Sequence, residues 1–296
     1  MTQPVTTLIL DGKKVSEDLL WEIESEVKSF DTEQGRKPGL AVILVGDNPA
    51  SQVYVRKKKE TCERVGMLSL EHRLDADAGS DALAKLIEQL NADDTVDGIL
   101  LQLPLPDGYD EQGLLRMISP DKDVDGFHPE NVGKLLLGLP TFKSCTPFGV
   151  MEILKYYQIP TAGQHVVIVG RSNIVGKPLA AMMVQRGVDA TVTICHSRTL
   201  NLAEVTRQAD ILVAAIGQPH FITADMVSEG TVVIDVGINR IDDPESPTGK
   251  RLVGDVDFQA VQSKCQAITP VPGGIGPMTI AMLLKNTLFS AKQRCE

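Results

Sequence analysis

The sequence predicts an α/β protein with two domains, of which the second is Rossmann-like. Short, continuous apolar segments alternate with stretches of helical spacing, and this alternation starts again after Thr146. Continuous apolar strands are typical of parallel sheets, because helices cover both faces of such sheets. A length of 296 residues suits about two domains. We expect the first domain at residues 1–149 and the second at 150–276, with a C-terminal helix, 277–296, packing back on the first domain.

The first domain has the order strand, helix, strand, helix, strand. Leu40–Val45 is an apolar run closed by a turn, and Leu68–Leu74 and Val96–Leu103 are two further strand candidates. Residues 50–66 and 81–90, which lie between these runs, have the spacing of amphipathic helices. Strands that alternate with helices in this way pair in parallel, so we expect a parallel sheet with helices on both faces.

The second domain repeats this order and is followed by a long helix. Its strand candidates are His165–Val169, Thr191–Cys195, Ala209–Gly217 and Thr231–Gly237. Its helix candidates are Phe148–Tyr157, Lys177–Arg186 and, at the end of the chain, Pro277–Ala291. The pattern is that of a nucleotide-binding α/β domain.

Composition argues against several classes of protein. The chain has 29 basic and 39 acidic residues and a net charge of −10, which argues against a general affinity for nucleic acid or anionic membranes. The five cysteines are scattered and form no Cys-x-x-Cys pair, so we expect neither a disulfide framework nor a zinc site. We also expect no secretory signal and no membrane span, and therefore a cytoplasmic location.

Tyr54 and Lys58 stand four residues apart in the first predicted helix. Residues at this spacing share one helical face, so a phenol and an ammonium group can reach the same reacting atom. The pKa of a lysine falls when water is excluded, which makes Lys58 a candidate for proton transfer. The alternative is a solvated basic face, since Arg56, Lys57 and Lys59 adjoin the pair.

The segment Gly170–Gly176 lies between a predicted strand and a predicted helix. In that place the helix N-terminus and backbone N–H groups can bind a pyrophosphate. The segment departs from Gly-x-Gly-x-x-Gly, because Ser172 holds the second glycine position and the last glycine comes one residue late. The alternative is an ordinary turn from strand to helix.

The residues after the second strand of this domain indicate which dinucleotide binds. NAD-specific folds usually place an acidic residue there to bind the ribose 2′-hydroxyl. This chain has His196 and Arg198 in that stretch, no acid, and Arg171 in the preceding loop. Neutral and basic residues suit a 2′-phosphate, so we expect NADP rather than NAD. Alternatively, His196 and Arg198 are solvated surface residues.

Three further segments carry candidate ligand-binding groups. Gln102 ends a predicted strand, at the sheet edge that faces ligands in open α/β folds, and it can hold Lys58 or instead cap the loop. The segment Ser119–His128 contains three carboxylates in five residues, so it is either an Asp-rich turn or a ligand grip centred on Asp125. Pro270–Thr279 is rich in glycine and proline, which favours backbone contact with a flat ligand over a simple interdomain turn.

Five motifs, in order along nearly the whole chain, resemble those of the bifunctional methylenetetrahydrofolate dehydrogenase/methenyltetrahydrofolate cyclohydrolase family. They are Ser51–Lys58, Gly98–Pro106, Asp121–Gly126, Gly170–Pro178 and Pro272–Thr279. Ile275 is a small departure, because the family more often has valine there. The resemblance implies an N-terminal catalytic domain, completed by the C-terminal helix, and an NADP-binding Rossmann-like domain. It also implies that folate lies in the cleft between the domains and that the enzyme is a homodimer.

The resemblance implies roles for individual residues as well. The catalytic residues would be Lys58, at the centre, with Tyr54 and Gln102 flanking it. The folate would contact Tyr54, Asp125, Pro272 and Gly276, with Asp125 as the anchor of the pterin ring. The NADP would contact Gly170, Arg171, Ser172, Ser197 and Ile238.

The implied chemistry has two steps, and the residue types fit both. Hydride leaves the one-carbon bridge of 5,10-methylenetetrahydrofolate for NADP⁺, which needs mainly positioning. Water then attacks the methenyl carbon and the ring opens to 10-formyltetrahydrofolate, which needs proton transfers that Lys58 can support. No metal is expected in either step.

Three alternatives remain at this point. A relative with only the dehydrogenase step would not need Lys58. A shikimate-type dehydrogenase would not explain Gln102 or the Pro270–Thr279 segment. A dinucleotide-binding module without activity would not need Tyr54, Lys58, Gln102 and Asp125 together.

Overall fold

The computed structural model describes residues 7–246 and 249–295, which form two compact units. The three-stranded unit comprises Glu17–Cys145 and the chain from Ile280 onward. The six-stranded unit comprises the described residues up to Ser16 together with Thr146–Thr279. Each unit is described below by its own sheet.

The secondary structure of the described residues alternates along the chain. The strands are β1 (Leu8–Ile9), β2 (Gly39–Val45), β3 (Leu68–Leu74), β4 (Gly98–Leu101), β5 (His165–Val169), β6 (Thr191–Cys195), β7 (Ile211–Ala214), β8 (Val232–Asp235), β9 (Asn239–Asp242), β10 (Lys250–Val253) and β11 (Ala267–Ile268). The α-helices are α1 (Gly12–Gln34), α2 (Pro49–Arg64), α3 (Ser80–Ala92), α4 (Glu111–Met117), α5 (Pro129–Leu136), α6 (Cys145–Tyr156), α7 (Gly176–Met183), α8 (Leu202–Thr206), α9 (Phe258–Val261) and α10 (Ile275–Gln293). Short 3-10 helices occupy Pro120–Lys122, Ala224–Met226 and Gln262–Lys264.

A parallel sheet of order β3-β2-β4 forms the centre of the three-stranded unit. Every residue of β2 and β4 is buried, as their unbroken apolar sequences predict. The helix α3 packs against this sheet through Leu83, Ile87 and Leu90, which recur at helical spacing. Because the strands are parallel, the loops that follow β2 and β4 leave from the same edge of the sheet.

The C-terminal part of α10 packs within the three-stranded unit, as predicted for the last helix. Ser290 Oγ donates to the backbone oxygens of Asp97 (2.6 Å) and Asp121 (2.8 Å). The fully buried carboxylate of Asp97 accepts from Arg36 at 2.7 and 2.9 Å and from Arg294 at 3.3 Å. These bonds join the end of the chain to the start of β4 and to the Asp-rich turn.

The six-stranded unit contains a parallel sheet of order β1-β11-β8-β7-β5-β6. Its strands are short and apolar, and β9 and β10 form a separate antiparallel hairpin. The buried core of this unit includes Val167, Leu212 and Val233 from three neighbouring strands. Ligands of open parallel sheets bind outside the carboxyl ends of the strands, and here these ends lead into the loops after β5, β6, β7 and β8.

The strand predictions are confirmed where the sequence is continuously apolar. The strands β3, β5 and β6 have the predicted bounds, whereas β4, β7 and β8 are shorter than predicted at both ends. The residues beyond the carboxyl ends of these three strands enter loops that carry candidate site residues. Within the described residues, no helix has both the length and the apolar composition needed to cross a bilayer.

The compact units differ from the predicted boundaries at the start of the chain. The strand β1 pairs in parallel with β11, with Leu8 opposite Ala267 and Ile9 opposite Ile268. Residues 7–16 therefore belong to the six-stranded unit, although the predicted first domain included them. A two-residue strand whose partner lies about 260 positions away leaves no local pattern in the sequence.

Candidate active site

Lys58 and Gln102 meet at the edge of the three-stranded sheet. Lys58 lies on α2, and its Nζ donates to Gln102 Oε1 at 3.0 Å. Gln102 follows β4 directly, and its backbone N–H donates to Ile43 at 2.9 Å. Its side-chain Nε2 donates to the Leu103 carbonyl at 2.7 Å. This second bond fixes which end of the amide faces the lysine, so Gln102 presents an acceptor to Lys58.

The pKa values of Lys58 and Asp125 are both shifted from their ordinary ranges. Desolvation lowers the pKa of the Lys58 ammonium, while the negative charge of Asp125 acts in the opposite direction. Desolvation likewise raises the pKa of the Asp125 carboxyl, and the charge of Lys58 and a hydrogen bond from Cys145 oppose it. Each shift favours the neutral form of its group. The free energies of a proton bound to the Lys58 amine and of a proton bound to the Asp125 carboxylate are therefore closer than for the same groups in water. The arrangement therefore suits proton transfer.

Cys145 is part of this cluster and was not predicted as a site residue. Its buried thiol donates to the Val124 carbonyl at 3.5 Å, and burial raises its pKa well above the usual range. Asn286 of α10 donates to the same Val124 carbonyl at 2.7 Å and to that of Lys143 at 2.8 Å. Scattered cysteines in a sequence indicate neither a disulfide nor a zinc site, and a single neutral thiol leaves no other signal there.

The Asp-rich segment contains carboxylates with different surroundings. Asp121 is exposed, whereas Asp123 is buried and accepts from the backbone N–H groups of Phe127 (3.1 Å) and His128 (2.8 Å). Burial raises the pKa of Asp123 to about 6. Asp123 thus holds the turn together, and Asp125 is the carboxylate that interacts with Lys58. The turn interpretation therefore applies to Asp123, and the ligand grip stays a prediction for Asp125.

The other basic residues of α2 behave as a solvated face. Lys59 pairs with Glu71 at 3.9 Å, and Arg56 lies 4.0 Å from Glu60. Tyr54, one turn before Lys58, exposes 39% of its surface and is accessible to a ligand. Lys58 therefore differs from its neighbours, because its ammonium is desolvated and bonded to Gln102.

A cavity of about 470 Å³ lies at the carboxyl ends of β5, β6 and β7 in the six-stranded unit. It is lined by Val169, Gly170, Arg171, Ser172, His196, Ser197, Thr199, Leu202, Ala215, Ile216, Gln218 and Phe221. The structure thus brings together four of the five predicted cofactor residues. As far as the structure describes it, the lining contains basic and neutral side chains and no carboxylate, which fits an anionic ligand.

The loop after β5 fits closely around its glycines. Gly170 has φ +137°, and a side chain there would overlap the Ala215 carbonyl. A side chain at Gly176, the first residue of α7, would overlap the Gly170 carbonyl. Ser172 Oγ accepts from the N–H of Val175 at 3.0 Å, so the serine at the second glycine position supports the turn. Bare backbone beside a helix N-terminus is what a dinucleotide pyrophosphate needs.

The remaining predicted ligand contacts of the six-stranded unit, which lie outside the cavity lining, are Ile238, Pro272 and Gly276. Ile238, the fifth predicted cofactor residue, is 44% exposed and does not line the cavity. A methyl group on Gly276 would lie 3.2 Å from Ile238 Cδ1, so the two positions are neighbours. Pro272 is exposed and follows a cis peptide bond, and the Gly273 carbonyl after it accepts from Lys13 N–H at 2.9 Å.

The six-stranded unit has a cavity suited to a dinucleotide, and a lysine site suited to proton transfer lies in the other unit. Together they define a dinucleotide-dependent enzyme that also carries out proton transfer. Comparison with known proteins narrows the class. Residues 10–125 match the catalytic domain of the tetrahydrofolate dehydrogenase/cyclohydrolase family, and residues 144–295 match its NAD(P)-binding domain. The chain belongs to this family.

Individual relatives agree with this assignment. The bifunctional protein FolD of Desulfovibrio desulfuricans is 59% identical over 289 residues, which cover 97% of this chain and 99% of the relative. The structure of the bifunctional FolD of Campylobacter jejuni is similar with a TM-score of 0.92 and 49% identity, covering 97% of this chain and 99% of that one. That of Trypanosoma brucei FolD, complexed with NADP and an inhibitor, has a TM-score of 0.93 and 37% identity, covering 98% and 99%.

The predicted fold class, cofactor and activity are confirmed by this membership. The protein is a bifunctional enzyme that oxidises 5,10-methylenetetrahydrofolate with NADP⁺ and hydrolyses the methenyl product to 10-formyltetrahydrofolate. In the described residues, no three His, Cys, Asp or Glu side chains are grouped so as to hold a metal ion.

Proposed function

We propose that Lys58, Gln102, Asp125 and Tyr54 form the site at which both reactions act on the folate. The observation that carries this proposal is the 3.0 Å bond from the desolvated Lys58 ammonium to Gln102, with Asp125 close enough to alter its pKa. Among the basic residues of α2, Lys58 is the one bonded to Gln102, whereas Lys59 pairs with Glu71 and Arg56 lies 4.0 Å from Glu60. The predicted residues Pro272 and Gly276 would complete the folate contacts.

In the hydrolysis step, Lys58 would move the protons. Water adds to the methenyl carbon while the neutral Lys58 amine takes one of its protons. The resulting ammonium then donates a proton to the ring nitrogen whose bond to that carbon breaks. The hydroxyl of the adduct releases its remaining proton to solvent and becomes the carbonyl, which leaves the formyl group on the other nitrogen. Gln102 Oε1 accepts from Nζ and holds it in one place through this exchange. Desolvation lowers the pKa of Lys58, which makes its amine form easier to reach than that of an exposed lysine.

Asp125 would bind the folate and also tune Lys58. An ionised carboxylate can accept a pair of N–H donors side by side, as a pterin ring presents them. The buried Cys145 thiol lies close enough to Asp125 to lower the pKa of that carboxyl, against the larger effect of desolvation. Tyr54 supplies an accessible ring and hydroxyl one helical turn away, suited to packing against the ring system.

The cavity of the six-stranded unit would hold NADP, which supplies the hydride acceptor for the first step. Gly170 and Ser172 form the loop beside the α7 N-terminus and would bind the pyrophosphate. Arg171 and Ser197 would bind the 2′-phosphate. Ile238 is proposed as a further contact of the cofactor, next to Gly276.

A homodimer is proposed as the assembly. In the described chain β3 pairs with β2 on one side, and its other edge has no partner strand. Such an edge can pair with its copy across a two-fold axis, and Leu68 at its start is 38% exposed. Sedimentation of Leu68→Glu against Leu139→Glu, a control at an exposed leucine outside β3, tests this proposal. Loss of the dimer is expected only for the first variant.

A cytoplasmic location is proposed as well. All five cysteines lie in the described part of the chain and are free thiols. Free thiols of this number are typical of a reducing compartment.

Labelling of amines tests the position of the folate site. An amine-selective acylating reagent at neutral pH should modify Lys58 faster than an ordinary buried lysine, because the pKa of its ammonium is lowered. A folate analogue should protect Lys58 while leaving Lys57, an exposed neighbour, reactive. Equal protection of both lysines, or of neither, would contradict the proposed site. Mass spectrometry of peptides from α2 distinguishes these results.

A further inference from the structure

We propose that Asp255 is a positioning residue for the dinucleotide. It fixes the loop after β7, Ala215–Gln218, as one wall of the cavity, and thereby sets the affinity for the cofactor. Asp255 does not line the cavity itself and belongs to none of the motifs discussed above. The inference rests on the proposed binding of NADP in that cavity.

The Ala215–Gln218 loop forms part of the cavity wall. Ala215, Ile216 and Gln218 line the cavity together with Gly170. The Ala215 carbonyl occupies the space that a side chain at Gly170 would need, so the loop packs directly on the phosphate-binding turn. A displacement of this loop would change the width of the cavity at the point where the glycine lets a ligand approach.

One buried carboxylate holds this loop. Asp255 Oδ2 accepts from two consecutive backbone N–H groups, those of Ile216 at 2.6 Å and Gly217 at 2.9 Å. Its Oδ1 accepts from Asn239 Nδ2 at 2.8 Å. Asn239 follows Ile238, the proposed cofactor contact, so the same side chain ties two segments that flank the ligand. Asp255 is fully buried, and hydrogen bonds to a buried carboxylate are short and strong.

A second carboxylate holds Asp255 in place. Asp235, at the end of β8, accepts from the N–H of Asp255 at 3.0 Å and from that of Gly237 at 2.9 Å. It also accepts from the N–H of Val256 at 2.9 Å. A side chain at Gly254 would overlap the Asp235 carboxylate, so the backbone approaches it as closely as glycine allows. The two acids together order the loops after β7 and β8.

The residue types of the Ala215–Gln218 loop predict how disorder in the loop would change the affinity for each cofactor. Ala215, Ile216, Gly217 and Gln218 carry no charge, so they contribute nothing specific to a 2′-phosphate. Disorder in this loop should therefore weaken NADP⁺ and NAD⁺ by the same factor. Lys58, Gln102 and Asp125 belong to the other compact unit, so hydrolysis of methenyltetrahydrofolate should continue.

Asp255→Asn tests this inference. An amide can direct its oxygen at the loop or at Asn239 but not at both, and its NH₂ then faces another donor. The Kd and KM for NADP⁺ should rise at least about tenfold while kcat changes less than about threefold, the pattern for loss of uniform binding. Without cofactor, amide hydrogen exchange in peptides covering 215–218 should accelerate. The NADP⁺/NAD⁺ ratio and the hydrolysis of added methenyltetrahydrofolate should match the wild type.

Asp210→Asn is the matched control. Asp210 also accepts a backbone N–H, that of His165 at 2.7 Å, but it precedes β7 and lies at the opposite edge of the sheet. Its cofactor affinity should equal that of the wild type. If Asp255→Asn fails to fold, Asn239→Ala decides, because it removes the bond that orients the Asp255 carboxylate toward the loop. It should raise the KM for NADP⁺ by about threefold, and an unchanged KM would overturn the inference.

Further outcomes distinguish the role of Asp255 from the proposed binding of NADP in the cavity. A wild-type protein that does not bind NADP⁺ in calorimetry would refute the proposed cavity. A wild type that binds NADP⁺ and an Asp255→Asn variant with the same Kd would refute the inference alone. Equal losses of both activities would show a structural role only and would also overturn it.

Discussion

The two candidate ligand sites of this enzyme differ in the chemical groups that form them. In the three-stranded unit, the functional groups are side chains. The desolvated lysine donates a hydrogen bond to an amide and interacts electrostatically with a carboxylate. In the six-stranded unit, the cavity is shaped by glycines, backbone groups and uncharged loops, with Arg171 and His196 as its basic members. Proton transfer requires titratable groups, whereas holding a dinucleotide requires space, N–H donors and positive charge.

This contrast predicts that the two activities respond to different substitutions. Changes at Lys58 or Asp125 should affect the folate and its hydrolysis, and changes around Gly170 should affect the dinucleotide. Hydride transfer needs both ligands and should be sensitive to both groups of residues. The predictions below test this separation, beginning with the largest expected effect.

Lys58→Met should lower cyclohydrolase activity by at least about 10²-fold, the usual scale for loss of a general acid–base group. Methionine keeps much of the length and helix propensity of lysine but removes the ammonium. Some dehydrogenase activity should survive, because hydride transfer depends on alignment. Both activities are measured separately, with methenyltetrahydrofolate or with methylenetetrahydrofolate and NADP⁺ as substrates. A variant that hydrolyses methenyltetrahydrofolate at the wild-type rate would refute the proposed mechanism.

The neighbouring lysines provide the control for that experiment. Lys57 and Lys59 are rotated by about 100° from Lys58 around the helix. Lys59 is paired with Glu71 on the surface instead of facing Gln102. Lys57→Met and Lys59→Met should each retain both activities. A similar loss in all three variants would favour a general role for the basic face of α2.

Asp125→Ala should weaken the binding of a folate analogue by about ten- to a hundredfold, the range for lost hydrogen bonds to a charged group. Its NADP⁺ affinity should stay nearly unchanged, because the cavity belongs to the other compact unit. Asp121→Ala is the matched control, since Asp121 is an exposed carboxylate of the same turn. Separate titrations with the two ligands measure both affinities, and an unchanged folate affinity would leave Asp125 without its proposed role.

Arg171→Ala should lower kcat/KM for NADP⁺ by about tenfold and leave kcat/KM for NAD⁺ within about threefold, because only NADP⁺ carries the 2′-phosphate. The wild type should prefer NADP⁺. Arg198→Ala, which removes an arginine that does not line the cavity, serves as the comparison. Equal effects of the two substitutions, or a wild-type preference for NAD⁺, would contradict the proposed assignment of the 2′-phosphate site.

Much of the fold follows from local sequence, and the omitted elements lie outside the continuously apolar stretches. Strands such as β5 were predictable because burial on both faces demands unbroken apolar residues. The helix α1 was not predicted, although Val15, Leu19 and Ile23 recur at helical spacing on its buried side. The β9–β10 hairpin is mostly exposed, so its composition does not resemble that of the other strands.

The site residues divide in a similar way. Lys58 and Gln102 were predicted from spacing, position at a strand end and resemblance to a family, and the structure joins them by one hydrogen bond. Cys145 and Asp255 were not found, because their importance comes from groups distant in the sequence. Asp255 accepts N–H groups about 40 residues earlier in the chain, and no periodicity records such a contact.

The smallest expected effect is a change in pH dependence, and it tests whether Asp125 tunes Lys58 as well as binding folate. Hydrolysis that depends on the neutral Lys58 amine should rise with pH through the pKa of that group. The charge of Asp125 raises the pKa of Lys58, so Asp125→Asn should lower it and move the rising limb to lower pH. Saturating methenyltetrahydrofolate separates this effect on kcat from weaker binding. Asp121→Asn should leave the rising limb of the pH profile of hydrolysis in place. In Asp125→Asn, the pH dependence of the Kd for NADP⁺ should stay as in the wild type. A rising limb that stays in place or moves to higher pH in Asp125→Asn would contradict this effect of Asp125 on Lys58.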